Sequence, residues 1–315
     1  MLVKYKHISG FLLLLLLIAG TNLSLNAQNS MRFSQYMHNE LSFNPAYCGT
    51  SNYTKATLAY RSQWLRIDGA PETQSFTFDA PIYGNNIGLG GVFFRESIGI
   101  QQDYGFMLNY AYRVNFSDSK LSFGMQGGFI NKTVGWTDLR LVHRDDPIFP
   151  DLDMNMWVPN FGFGVFFYSK LFYLGFSAPR ILANEIPIDQ TSAEYFSLSK
   201  SHIHYYLASG YLIMLNNQTV LKPSLLWKMV SNGANQLDLS VNLYLRNRIN
   251  FGIGFHAGDS YVFMVGYQIN DKLLFNYSYD ATYNELMYNK PITNEITLSY
   301  KFSSGNEKVI SPRYF

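Results

Sequence analysis

From residue 54 onward, apolar and polar side chains alternate with period two, the spacing that sends successive residues to opposite faces of a β-strand. The longest run places Tyr104, Phe106, Leu108, Tyr110, Tyr112, Val114 and Phe116 on one face, against Asp103, Gly105, Met107, Asn109, Ala111, Arg113 and Asn115 on the other. The pattern returns with Leu237, Leu239, Val241, Leu243 and Leu245 against Gln236, Asp238, Ser240, Asn242, Tyr244 and Arg246. Strands of about 9–11 residues cross a bilayer when tilted, whereas soluble sandwich strands are nearer 5–6. A charge placed at Leu108 is therefore expected to cost about 2–4 kcal/mol near the midplane, and one at Asn109 less.

Fourteen strands are predicted, over 54–66, 72–80, 87–95, 102–116, 120–133, 159–168, 171–178, 202–214, 218–229, 236–246, 248–257, 260–269, 272–281 and 293–302. An even count closes a single-chain bacterial barrel with both ends on one side. The joints agree from the fourth strand on. Tight turns at Ser117-Asp118-Ser119, Ser169-Lys170, Asn216-Asn217, Asn247 and Asn270-Asp271 alternate with joints over 134–158, 179–201 and 282–292. Joints near 231–235 and 257–260 are short and weaken the alternation. Short turns belong on the periplasmic side and longer loops outside, which puts the N-terminus in the periplasm. The inward face is expected to carry Lys55, Arg61, Gln63, Arg113, Lys132, Asp238, Arg246 and Asp280, and the outward face aromatic ends at Tyr60, Trp64, Tyr104 and Phe116. The competing soluble sandwich has nowhere to hide those charges.

The chain has 315 residues, 47% hydrophobic, 17% aromatic and 15% charged, which excludes disorder. Its 24 Lys and Arg against 22 Asp and Glu lack the basic excess of a nucleic-acid binder, so no nucleic-acid partner is expected. A single cysteine, Cys48, permits neither an intramolecular disulfide nor a multi-thiolate metal site. Lys4 and Lys6, the apolar run Phe11 to Ala19, and Leu25-Asn26-Ala27 before Gln28 read as a cleavable export signal over 1–27. Its removal takes two lysines and leaves 22 basic and 22 acidic residues. No later run is long and apolar enough for a transmembrane helix.

Candidate chemistry is sparse. His202 and His204 share a strand face but bring no identifiable third metal ligand. His143-Arg144-Asp145-Asp146-Pro147 reads as a solvated loop. Gly88, Gly90 and Gly91, like Gly252, Gly254 and Gly258, precede no helix that could hold a phosphate, and read as small residues easing sheet curvature. No G-x-S-x-G is present. No catalytic, cofactor-binding or metal-binding residue is assigned.

The stretch from Arg32 to Gly49 is too polar and turn-prone for a lipid-facing strand, yet too aromatic for a solvated tail. It is expected to pack into the periplasmic mouth of the barrel. Asn44-Pro45 should begin a turn, Gly49 should take positive φ, Tyr36, Phe43 and Tyr47 should anchor it, and Gln35 and Asn39 should pair with inward groups such as Arg61 or Gln63. The division is thus 1–27 signal, 28–53 plug-like segment, 54–302 barrel and 303–315 tail.

Phe33-Ser34-Gln35-Tyr36, Asn39, then Asn44-Pro45-Ala46-Tyr47-x-Gly49 resembles the N-terminal signature of the PorP/SprF family of type IX secretion outer-membrane proteins. Tyr60-Arg61-Ser62-Gln63-Trp64, Leu221-Lys222-Pro223-Ser224 and Tyr277-Ser278-Tyr279-Asp280 add to the likeness, while Cys48 stands where a small residue, usually alanine, is expected. The resemblance implies a fourteen-stranded outer-membrane barrel without catalytic residues. It would assist secretion or surface anchoring of large proteins such as gliding adhesins. Implied partners are the sorting domain of a secreted cargo protein, periplasmic secretion machinery and outer-membrane lipid. The alternative is an outer-membrane channel for hydrophobic small molecules; a third, a barrel enzyme, would have only His143, Asp145 and Asp146 to work with.

Overall fold

The computed structural model describes residues 31–51, 53–82, 86–138, 153–182, 203–230, 233, 235–283 and 291–302. Three 3-10 turns, Tyr36–His38, Glu40–Ser42 and Pro45–Tyr47, precede the strands. These are β1 (Thr54–Leu65), β2 (Glu72–Ile82), β3 (Ile87–Ile98), β4 (Gln101–Asn115), β5 (Ser119–Val134), β6 (Met154–Ser169), β7 (Phe172–Ala178) and β8 (His204–Tyr211). There follow β9 (Ile213–Asn216), β10 (Thr219–Val230), β11 (Gln236–Leu245), β12 (Ile249–His256), β13 (Ser260–Gln268), β14 (Leu273–Thr282) and β15 (Ile292–Phe302). β8 and β9 are halves of one stave parted at Leu212, whose amide donates to the Leu171 carbonyl. The barrel therefore has fourteen staves. Neighbours in sequence pair antiparallel around it, β1 pairs with β15, and the β10–β11 ladder completes the ring.

Burial is inverted relative to a soluble protein. Leu58, Leu108, Met125, Phe161, Ile253 and Phe263 are each more than half exposed on the outer surface, whereas Arg61, Arg113, Lys222, Asp238, Asp280 and Glu295 are buried inside. An apolar exterior over a charged interior is stable only where lipid is the outer solvent. Exposed Tyr60, Tyr104, Trp157 and Tyr261 ring one end, and Tyr112, Phe116, Tyr267 and Phe302 the other, as interfacial aromatics do.

The predicted strand over 159–168 begins five residues earlier, at Met154, because Met154, Met156 and Val158 continue its inward face opposite β5. Arg246, expected in the lumen, instead occupies the turn between β11 and β12 with φ 50°, is exposed, and donates to the Gln218 side chain. Alternation runs one residue too far there, because Asn247, at φ 55°, needs Arg246 as its turn partner. At Trp64 a register shift and a positive φ leave the ring half-buried rather than fully outward. The Asn turns form for a chemical reason: Asn216 Oδ1 accepts from the Gln218 amide, and Asn270 Oδ1 from the amides of Lys272 and Leu273.

Candidate functional site

Residues 31–51 lie inside the ring of strands rather than beside one mouth. At the end carrying the longer joints, Lys228 Nζ donates to the Met31 carbonyl and Arg32 pairs with Asp259 at 2.7 Å. At the short-turn end, Arg113 donates to the Cys48 carbonyl and the Gly49 amide donates to Asp79. The segment thus descends from mouth to mouth. A periplasmic-mouth location underestimates this reach, because eighteen residues rich in polar and aromatic side chains, wound into short turns, need partners at every level of the lumen.

The upper part is built on charge. The Arg61 guanidinium reaches Asp280 at 2.7 Å, Glu295 at 3.1 Å and Ser34 Oγ at 2.6 Å, with all three side chains of the ion pairs almost wholly buried. The amides of Ser34 and Gln35 donate to the two oxygens of Glu295, and Gln35 Nε2 donates to the Glu295 carbonyl. Asn39 donates to Ser75 and accepts from Thr77. The expected pairing of Gln35 and Asn39 with Arg61 or Gln63 is thereby corrected. The first 3-10 turn aims Ser34 at Arg61 and swings Gln35 and Asn39 onto β15 and β2. Gln63 is buried, and its backbone amide donates to the Pro71 carbonyl.

Ser34 Oγ also lies 2.9 Å from His256 Nε2, and His256 Nδ1 lies 2.5 Å from Asp238. The connectivity is that of a hydrolytic triad. A nucleophile needs an approach path and oxyanion donors. Here the hydroxyl is already engaged by Arg61 and Asp280, and Ser34 is 2% exposed. The arrangement binds the segment to the wall. The signal for His256 was its inward parity opposite Asp238, its direct partner in the β11–β12 register.

Asn44 caps the third turn, accepting from the Ala46 amide while its amide group donates to the Val165 carbonyl. Pro45 supplies the fixed φ of the first turn residue. Ala46 lies against Gly124, and Cys48 against Gly88 and Gly90; a Cβ at Gly88 would overlap the Cys48 carbonyl, and one at Gly124 the Ala46 backbone. Gly88 and Gly90 therefore provide clearance for the segment, which curvature alone does not explain. Gly49 has φ +65°. Phe33, Tyr36, Phe43 and Tyr47 are all buried, with Tyr47 edge-on to Phe166 and Phe43 stacked on Tyr206.

Glu40 and His38 sit in this packing. Burial pushes the Glu40 carboxyl up to about 7, with Lys222, Lys55 and the Tyr173 hydroxyl pulling the other way. Burial, then Lys222 and Lys55, pushes His38 down to about 3. The Cys48 thiol is pushed well up by burial and by Asp79. Residues 1–30, His143, Asp145, Asp146, His202 and the tail 303–315 lie outside the described residues, as do most of the longer joints. His204 lines a small, largely apolar cavity at the long-joint end.

A closed antiparallel barrel, apolar outside and enclosing a charged lumen, is a transmembrane β-barrel. The chain belongs to the PorP/SprF family: the model described as "Type IX secretion system membrane protein PorP/SprF" matches residues 25–300. Among solved structures it is similar in fold to the toluene transporter TbuX of Ralstonia pickettii, at 9% identity and a TM-score of 0.50, covering 90% of this chain and 96% of that one. A TodX deltaS2S3 mutant monoaromatic hydrocarbon channel gives 10% identity, a TM-score of 0.46, and the same 90% and 96% coverage. The KdgM porin gives 9%, a TM-score of 0.35, and coverage of 79% and 99%. No curated protein matches the chain.

Proposed function

We propose that this protein is a non-enzymatic outer-membrane component of the type IX secretion system, with the short turns and both ends of the strand series, Thr54 and Phe302, on the periplasmic side and Met31 and Arg32 at the opposite mouth, which corrects the expectation that the N-terminus itself is periplasmic. It assists secretion or surface anchoring of large proteins such as gliding adhesins by engaging their sorting domains, and it meets periplasmic secretion machinery at the short-turn end. The observation that carries this reading is the lumen: residues 31–51 occupy it from Asp259 at one end to Asp79 at the other. A barrel closed by its own chain suits recognition at its mouths better than passage through its centre.

Deleting 32–49 should leave an inserted barrel, raise small-solute leakage, and impair export or display of the cognate cargo. Co-purification of a secreted protein with the intact barrel is the companion measurement. Normal permeability together with normal display in the deletion strain would refute both the plug and its coupling to secretion.

A second reading, a channel for hydrophobic small molecules, draws on the cavity near the long-joint end, where Phe33, Tyr36, Phe43, Tyr206 and Leu226 form an apolar wall beside Ser42, Arg180, His204 and Lys228. Liposomes containing the intact protein should then take up a monoaromatic solute. The secretion reading expects no uptake.

A further inference from the structure

One cation on the strands points outward. Every other Lys and Arg of the described strands, from Lys55 on β1 to Lys301 on β15, faces the lumen, whereas Arg95 on β3 shares the outward parity of exposed Leu89 and Phe93. Its register partners, exposed Gln74 on β2 and Tyr104 on β4, lie on the same face. One row toward the barrel centre, Phe76, Phe93, Phe106 and Phe129 form an unbroken cross-strand line, with the rings of Phe93 and Phe106 at 4.6 Å between centres. One row toward the long-joint end, Ser97, Gln102, Thr133 and Asn155 are polar and uncharged. Arg95 thus stands where hydrocarbon gives way to headgroups, in the row that also holds Tyr60, Tyr104 and Trp157.

Among the described residues Arg95 enters no ion pair, and its Nε is buried without a hydrogen-bond partner. The guanidinium lies 5.8 Å from the Tyr104 ring centre, a contact that brings no formal negative charge. Glu72, the one acid on the outward face of a described strand, sits diagonally across on β2, a row nearer the rim. Its carboxylate accepts the Tyr60 hydroxyl at 3.3 Å, on the β1 side and away from β3. Glu96 and Asp103 point into the lumen, where Arg180 and Lys132 meet them. The cost of an outward arginine falls steeply from the midplane of the bilayer to its interface, so this level tolerates Arg95 and surrounds it with lipid headgroups.

We propose that Arg95 is the centre of a binding site for the phosphate of a glycolipid in the leaflet at the long-joint end. A guanidinium meets phosphate oxygens with a bidentate fork. The Gln74 amide group adds a donor beside it, and the acyl chains lie along the row of Phe93. The polar strip selects a glycolipid over a glycerophospholipid: from β3 to β6, at about 4.8 Å per strand, it is about 14 Å wide. It presents hydroxyl and amide groups at the level of a hydroxyl-rich headgroup. This occupant rests on the orientation proposed above, which places the long-joint end outside, where outer membranes carry their phosphorylated glycolipid.

The test is binding of monophosphoryl lipid A to the purified full-length barrel in detergent, read as lipid retained in native mass spectrometry. The same lipid without its phosphate, and phosphatidylglycerol, are the comparison probes. The wild type should retain the monophosphoryl form saturably and several-fold better than either. Arg95→Gln should lose that preference while its lipid-free melting midpoint stays unchanged. Arg95→Lys, which keeps the charge without the fork, should keep part of it. Gln74→Leu leaves the arginine in place, should weaken retention in the same direction, and serves if the arginine variants fold poorly. Lys170→Gln, in an exposed turn at the short-turn end, should behave as the wild type does. Equal retention with and without the phosphate, or an undiminished preference in Arg95→Gln, overturns the site; phosphatidylglycerol held as tightly overturns the glycolipid as its occupant. Detergent has no sides, so these outcomes report the site alone, while cysteine labelling of the Asn turns on cells reports the orientation on which the choice of leaflet rests.

Discussion

Arg61 and Asp280, 219 residues apart in sequence, meet at 2.7 Å inside the barrel with both side chains 1% exposed. Arg61 is also the register partner of Glu295, which its other terminal nitrogen reaches. Removing one member of a buried ion pair leaves an uncompensated charge and costs about 3–5 kcal/mol. Arg61→Gln would strand two carboxylates at once. It should sharply lower the midpoint of denaturation of the folded, heat-modifiable form, and Asp280→Asn should do so less, since Arg61 keeps Glu295. Wild-type stability in Arg61→Gln would show that the cluster does not hold the segment.

The packed lumen changes what the alternation of β4 implies for substitutions. Leu108 is 59% exposed to lipid and Asn109 is 3% exposed inside. Its register partner Gly90 abuts Cys48. Leu108→Arg should cost about 2–4 kcal/mol by placing charge in hydrocarbon. Asn109→Arg, mild if the lumen were water-filled, should cost about 1–3 kcal/mol by overpacking. Removing residues 32–49 should rescue Asn109→Arg and leave Leu108→Arg impaired. Equal rescue of both, measured as the yield of folded barrel, would count against the assigned faces.

Glu40 makes the packing pH-dependent. Its carboxyl is raised from an ordinary 4.5 to about 7 by burial, so the folded state holds a proton that the unfolded chain releases. Its contribution is complete below pH 4.5 and is lost as pH rises through about 7. His38, depressed from 6.5 to about 3, acts the other way: its contribution is present above 6.5 and lost as pH falls through about 3. The two slopes oppose each other where the windows overlap. Glu40→Gln isolates the second: between pH 4.5 and 6.5 its melting midpoint should rise with pH where that of the wild type stays nearly level, and above pH 6.5 it should lose the wild-type decline. A decline unchanged in that variant would assign it to other groups.

Orientation is testable with cysteines. The Cys48 thiol is buried and its ionisation is suppressed, so it should stay silent to a membrane-impermeant maleimide. On intact cells, cysteines at Asn217 or Asp271 should remain unlabelled, and added protease should cut within 134–158 or 179–201. Labelling of either turn from outside would invert the proposed topology.

The barrel was legible because lipid enforces its rule at every residue: period-two alternation fixes stave, face and count together. The errors fall where that rule stops acting. At Arg246 the turn overrides parity, at Leu212 a stave breaks, and at Met154 the strand outruns the membrane and is limited by pairing alone. Within the lumen, the motif residues announced an ordered segment through Asn44-Pro45 and the buried aromatics. Their partners were hidden because Ser34, His256, Asp238 and Asp280 come from widely separated stretches, and no local spacing encodes which staves a coil will face.

The mouth-to-mouth course of residues 31–51 carries a consequence for assembly. β1 and β15, the first and last strands, close the ring upon each other. The segment touches both sides of that junction, Ser34 bonding Arg61 on β1 and Glu295 on β15. A coil gripped from so many directions has no side door once the ring is shut. The earliest exported part of the sequence is therefore expected to lie across the open sheet when its last strand arrives, and to be enclosed as the β1–β15 ladder forms. A peptide copy of the segment added afterwards should find no way in.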